Sequence, residues 1–298
     1  DFDDLTEVLS SFKWWVFPLL LLLSFLNYVS RFFKWQYYLT LLKVSISKVD
    51  SFSIFMSGLV MSVTPGKMGE LLKSYLVKQI TGTPISRTAP IILAERITDF
   101  ISLVLIGIIG AYIYDYGRSI VIGVGIFFLI VVVIISNKTI ALSIIKQFEK
   151  ISFLKKYLHN INSAYESSYL LLRPIPLFYM TILSFISWSF ECLGYHLILI
   201  NFSMSLSYLW ASFSYAFATI VGAISMLPGG LGLTEGSLTY MLIKKSYSKE
   251  IAVASTFIIR IVTLWFAVFV GIISVSLYQK RFGKLTDENL INFGETNE

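Results

Sequence analysis

The chain has 298 residues, of which 56% are hydrophobic, 16% aromatic and only 14% charged, and its mean hydropathy is +0.74. A soluble domain carries about 25% charged residues, so this composition excludes a soluble globular protein and points to a polytopic membrane protein. The net charge of +6 sits in loops that orient a chain in a bilayer and gives no ground for a nucleic-acid partner.

The sequence opens on Asp1-Phe2-Asp3-Asp4 with no basic n-region, so no signal peptide of the usual form is expected. Residues 1–13 read as an extramembrane segment. Full spans are predicted at 14–36, 86–114, 118–136, 175–200 and 250–278, from apolar runs of membrane-crossing length. Two other apolar stretches, 52–78 and 208–245, are each broken by a Pro-Gly island. Each arm of a broken stretch is too short to cross about 30 Å of hydrocarbon at ~1.5 Å per residue. The expectation is therefore two re-entrant hairpins, at 52–80 and 208–245.

A span–hairpin–span unit thus occupies 14–114 and recurs at 175–280, with a connecting span at 115–138. Three full spans lie between the hairpins, and an odd number makes them open from opposite faces. The expected fold is an all-α membrane bundle built as an inverted repeat. Between the units, segment 139–174 carries Ile144, Ile145, Phe148, Ile151, Leu154, Leu158, Ile161 and Tyr165 at helical spacing with lysines between them. That pattern suits an amphipathic helix lying on anionic lipid. The tail 281–298 is polar and expected to be disordered. The excess of Lys and Arg on the side of 139–174 makes that side, and the C-terminus, cytoplasmic in a cell membrane.

The islands are Thr64-Pro65-Gly66-Lys67-Met68-Gly69-Glu70 and Leu227-Pro228-Gly229-Gly230-Leu231-Gly232-Leu233-Thr234-Glu235. An arginine follows each proline at nearly the same distance: Arg96 after 31 residues and Arg260 after 32. Gly66, Gly69, Gly229, Gly230 and Gly232 permit tight backbone, and a half-helix that starts beside them offers free N–H groups to an anion. Lys67 adds a point charge suited to phosphate. The plainer reading of the glycines is close helix packing.

Glu95, Arg96 and Asp99 share one helix surface inside a predicted span, where charges must pair or face water. Arg96 is assigned to a lipid phosphate and the carboxylates to balancing it; a structural ion pair is the plainer alternative. Arg260, flanked by Ile258, Ile259, Ile261 and Val262, is expected to meet Glu235 or a substrate phosphate. Arg31 is a further headgroup candidate, although snorkelling to the interface, with Trp35 in the aromatic belt, is the favoured reading. Glu191, deep in a span, is a candidate for proton coupling or for pairing with an arginine, and Glu70 and Glu235 join it as balancing charges. The lone Cys192 and the distant His159 and His196 supply no metal centre, and no cofactor is expected.

With these features in order, Arg31 with Trp35, the first island, Glu95-Arg96 with Asp99, the second island and Arg260, the chain resembles the lysylphosphatidylglycerol synthase transmembrane family, also called flippase-like proteins. The resemblance runs from about 14 to 278. It implies a multi-pass protein that moves an aminoacylated phospholipid or a polyprenyl-phosphate-linked sugar between leaflets. The chain has no room for the soluble aminoacyl-transferase domain of the two-domain members, so a stand-alone member is expected. The resulting expectation is a lipid transporter and not an enzyme, with membrane lipids as partners; a homodimer is allowed. The alternative is an integral-membrane transferase using Asp99 or Glu70 as base, and a scaffold for a neighbouring enzyme is a third reading. No GxxxxGK[ST] loop is present, so ATP is not the expected driver.

Overall fold

A computed structural model describes residues 2–149 and 158–282; the side chains at 2, 3, 5, 66–68 and 147–149 lie outside the described ones. Every regular element among the described residues is helical: α1 (Phe2–Ser11), α2 (Phe17–Leu41), α3 (Lys48–Gly58), α4 (Leu71–Thr81), α5 (Ile85–Thr88), α6 (Pro90–Ile113), α7 (Arg118–Ser136), α8 (Lys138–Glu149), α9 (Leu158–Leu171), α10 (Pro174–Asn201), α11 (Tyr208–Ile224), α12 (Leu233–Lys244), α13 (Lys249–Arg260) and α14 (Phe266–Phe282). A π-turn, Ile261–Trp265, joins the last two into one rod.

The boundaries follow from local chemistry. Proline occupies the first turn of α2, α6 and α10, where its missing N–H would be unpaired anyway. Serines cap the helices that follow the tight corners: Ser47, Ser207 and Ser248 accept from the backbone N–H of Asp50, Trp210 and Ile251. Pro65 and Pro228 each open a 3-10 turn that splits an apolar stretch in two. The order long helix, broken stretch, long helix therefore occurs twice, at 17–113 and 174–282.

Four helical stretches are long and apolar enough to cross a membrane: Trp14–Leu41, Arg118–Ser136, Pro174–Asn201 and Lys249–Phe282. The α6 helix has the length, 24 residues, but carries Glu95, Arg96 and Asp99. Its charges are inside the bundle and its apolar residues Leu105, Ile109 and Ile113 are outside. In α7 only Val121 is buried, while Ile126, Phe127, Leu129 and Val133 lie exposed, the pattern of a helix with lipid on most of its circumference.

The broken stretches are exchanged between the two halves. The first-half arm, α3 with Leu59–Val63, packs on α14, and the second-half arm, α11, packs on α6. The two prolyl turns meet each other between them. The apolar interior is divided accordingly. One core gathers Leu20, Leu103, Tyr195, Phe213 and Ile258; the other gathers Trp35, Tyr38, Ile54, Leu76 and Ile91. Polar side chains from the middle thirds of α2, α6 and α10 lie between these cores: Arg31, Asp99 and Glu191.

Segment 139–174 is described on either side of residues 150–157. It forms α8 and α9, and α9 packs on α5, α6 and α7, burying Ser167, Ser168 and Leu171. Of its expected apolar stripe, the Phe148 side chain, Ile151 and Leu154 lie outside the described residues, as does the tail from 283.

Candidate functional site

A cavity of about 300 Å³ opens where the prolyl turns meet the long helices. Arg31, Arg96 and Arg260 line it together with Asp99, Glu191 and Tyr215; Gly229 and Gly230 supply backbone to its wall.

Each arginine is anchored by a carboxylate. Arg31 Nη2 donates to Asp99 Oδ2 at 2.9 Å. Arg96 donates to Glu70, and Arg260 to Glu235, through short contacts. Arg260 also donates to the carbonyl of Gly229 at 2.6 Å, locking the second turn to α13. These three pairs connect three different joints. Arg31–Asp99 ties α2 to α6, whereas the other two tie each broken stretch to the helix that follows it, α6 or α13.

Two buried lysines complete the cluster. Lys34, fully buried, donates to Asp99 Oδ1 at 2.6 Å, Ser184 Oγ at 2.7 Å and Thr98 Oγ1 at 3.2 Å. Lys73 donates to Glu95 Oε2 at 2.6 Å, lies 3.7 Å from Glu70, and sits 4.8 Å from the centre of the Trp35 ring. Five cations (Arg31, Lys34, Lys73, Arg96, Arg260) are thus paired with four carboxylates (Glu70, Glu95, Asp99, Glu235), and Glu191 lies on the same cavity. Charges buried at this depth persist only when paired in this way.

The second-half wall is aromatic and acidic. Tyr215 Oη donates to Glu191 Oε2 at 2.6 Å, and the Arg31 guanidinium lies 6.0 Å from the centre of the Trp188 ring. Two buried donors that belong to cavity-lining residues, Arg96 Nε and Trp188 Nε1, find no hydrogen-bond acceptor among the described residues.

Several expectations change against this geometry. Arg31 does not snorkel; it points inward to Asp99, because α2 continues two and a half turns beyond it. Trp35 is buried beneath Lys73 and takes no part in an interfacial belt. Glu235 caps α12 by accepting from the Gly232 N–H at 2.7 Å, so that helix end is already occupied by a carboxylate. Gly229, Gly230 and Gly232 all have positive φ, as the turn requires, and Gly230 also touches the backbone of Gly222, where a Cβ would come within 3.1 Å. Gly69 donates its N–H to Thr64 Oγ1 at 3.0 Å, and a Cβ there would strike Met61 and Thr64. The expected phosphate contact of Lys67, with Gly66 beside it, falls outside the described side chains. His196 rests edge-on against Tyr208, with ring centres 5.6 Å apart.

Sequence reasoning passed over Lys34 altogether and left Lys73 without a role. The signal for Lys34 is its spacing: it follows Arg31 by one helical turn on the face that meets α6. For Lys73 the signal is its place one turn after Glu70, with aromatic residues elsewhere in the same half.

A family model described as the lysylphosphatidylglycerol synthase TM region matches residues 1–271. Among curated relatives, a UPF0104 membrane protein of Methanocaldococcus jannaschii is 26% identical over 229 residues, covering 75% of this chain and 95% of that protein.

Proposed function

The chain belongs to the lysylphosphatidylglycerol synthase transmembrane family, and we propose that it moves an anionic lipid, a phospholipid or a polyprenyl-phosphate-linked sugar, between the leaflets of the cell membrane. The observation that carries this reading is the convergence of Arg31, Arg96 and Arg260 on one cavity between the two halves. Guanidinium groups suit phosphate, and charges are maintained at membrane depth where they serve a substrate path. The unpaired donors Arg96 Nε and Trp188 Nε1 supply hydrogen bonds that a phosphate oxygen would accept.

The proposed architecture is an inverted repeat with two re-entrant hairpins, supported by the exchange of arms between halves and by the doubled order of elements. The mechanism uses the balance of charge. A phosphate entering the cavity competes with Glu70 for Arg96 and with Glu235 for Arg260. Each exchange releases a hairpin from its following span, so headgroup binding and gating are one event. The acyl or prenyl chains stay in the bilayer throughout. The excess of Lys and Arg on one side supports a cytoplasmic C-terminus.

The test is protein-dependent leaflet exchange in reconstituted vesicles, comparing a fluorescent phospholipid with a short polyprenyl-phosphate-sugar analogue, each with and without an ion gradient. Exchange of one lipid class, abolished by Arg96→Ala and by Arg260→Ala, is the expected result. Folded protein that moves neither class under either condition would refute transport and return the weight to lipid-linked transferase chemistry.

A further inference from the structure

A second polar recess lies apart from the central cavity, where α7 passes into α8 and α9 passes into α10. It has a volume of about 470 Å³, and its polar lining comes from Lys138, Asn162, Tyr165, Glu166, Tyr169 and Arg173. Its depth in the membrane is fixed by its neighbours. Lys138 starts α8 two residues after the apolar α7 ends at Ser136, and Arg173 immediately precedes the first residue of α10. Both α7 and α10 are long and apolar enough to span. The recess therefore sits where two spans leave the hydrocarbon on the same side, at the level of lipid headgroups.

The two cations converge on one ring. Lys138 Nζ lies 4.7 Å, and the Arg173 guanidinium 5.2 Å, from the centre of Tyr169. Among the described residues, the ion pairs use neither Lys138 nor Arg173, so the ring positions both charges without neutralising them. The helix carrying Tyr165, Glu166 and Tyr169 is itself held in place: Tyr165 Oη donates to Ile135 O at 3.4 Å, and α9 packs on α5 and α6. Leu142 and Leu170 add apolar surface to the same recess.

We infer that this recess is a binding site for the phosphate-bearing headgroup of a membrane phospholipid. Lys138 and Arg173 take the phosphate oxygens of an anionic headgroup, and Glu166 with Asn162 takes the glycerol hydroxyls that follow the phosphate, groups that a zwitterionic choline headgroup lacks. Leu142 and Leu170 meet the start of the acyl chains. A lipid is favoured over a free anion because the site lies at the headgroup level, where the local concentration of phosphodiester is high and basic residues gain from anionic lipid. Occupancy would tether α9, and through it brace α6, the helix of Glu95, Arg96 and Asp99.

The experiment is native mass spectrometry of the full chain in detergent titrated with phosphatidylglycerol or phosphatidylcholine, together with a thermal-shift titration with glycerol 1-phosphate and with inorganic phosphate. Lys138→Gln/Arg173→Gln is expected to weaken phosphatidylglycerol retention by at least roughly tenfold, while Lys138→Arg/Arg173→Lys restores it. Unchanged retention by a double variant with wild-type circular dichroism would overturn the site. Stabilisation by the soluble phosphates that the double variant loses, with lipid retention unaffected, would overturn the lipid assignment in favour of a soluble anion. Equal retention of phosphatidylcholine in the wild type and in the double variant, alongside the phosphatidylglycerol loss, is the expected control; loss of both lipids equally would point to a collapsed recess and overturn charge recognition.

Discussion

In the first half of the chain Arg96 holds Glu70 of the broken stretch before it; in the second half Arg260 holds Glu235 in the same way. Around that shared pair the halves part company. Arg96 is preceded by Glu95 and followed one turn later by Asp99, each committed to a buried lysine; the corresponding residues beside Arg260 are Ile259 and Thr263. Arg31 lies twelve residues before Lys43, the positive-φ residue that ends α2, and Glu191 lies twelve residues before Ser203, its counterpart after α10. An arginine on one side thus matches a carboxylate on the other. The ion pair from each broken stretch to the following helix belongs to the scaffold that both halves share. The lysine–carboxylate network belongs to one half alone, and it gives the cavity one wall rich in charge and another that is aromatic with a single acid.

The sharpest way to break this comparison is to remove an acid from the charged wall. Asp99→Ala leaves Lys34, which is fully buried, and Arg31 without their shared counterion. Stripping one partner from a buried pair costs about 3–5 kcal/mol. Thr263→Ala removes an uncharged hydroxyl that donates to the Ile259 carbonyl, so it should cost about 1 kcal/mol. Unfolding in mixed micelles by denaturing detergent measures both. Adding Lys34→Met to Asp99→Ala should recover part of the loss. Equal costs at 99 and 263 would mean that the network carries no special share of the stability.

The exchanged arms offer a milder test, of the scaffold instead of the charges. A Cβ on Gly271 would lie 2.1 Å from the backbone nitrogen of Val60, so α14 and the first arm have no room to separate. On Gly107, eleven residues after Arg96 as Gly271 is after Arg260, a Cβ would meet Ala216 at 3.8 Å, an ordinary contact. Gly271→Ala should therefore destabilise by about 1–3 kcal/mol through overpacking, while Gly107→Ala should be neutral or slightly stabilising in the same unfolding experiment. The reverse order would mean that the arms do not pack as described.

Much of the scaffold could be read from the chain because the signals are local. Proline in an apolar run, glycine beside it and serine before a helix act over a few residues, so the two breaks and the order of elements followed directly. The ion pair of Arg260 with Glu235 was also within reach, since an arginine among Ile258, Ile259, Ile261 and Val262 has few partners to choose from. What could not be read was the destination of side chains that cross between helices. Arg31 sits close enough to the end of an apolar run to look like a snorkelling residue; only the placement of α6 beside α2 turns it inward. Lys34 was missed for the same reason, because its partners Asp99 and Ser184 come from α6 and α10. The packing of α9 depends on its finding α5 and α6, a contact between parts of the chain about seventy residues apart.

The smallest expected change in stability falls on the second wall and is the most informative for mechanism. Glu191→Gln keeps an acceptor for Tyr215 Oη, whose hydrogen bond at 2.6 Å holds α10 to α11, so the fold should shift by less than about 1 kcal/mol. The variant nevertheless removes a carboxylate from a cavity lined by Arg31, Arg96, Arg260 and Asp99. If Glu191 serves only to position Tyr215, leaflet exchange by Glu191→Gln should match the wild type at every pH. If it carries a proton during transport, the wild type should depend on an imposed pH gradient and the variant should not, with unfolding behaviour unchanged. Tyr215→Phe separates the two further: it removes the hydrogen bond and spares the carboxylate, so a proton-carrying Glu191 would still respond to the gradient. The expected result is gradient-dependent exchange in the wild type and in Tyr215→Phe, lost in Glu191→Gln, which would assign the coupling to the half that lacks the lysine network.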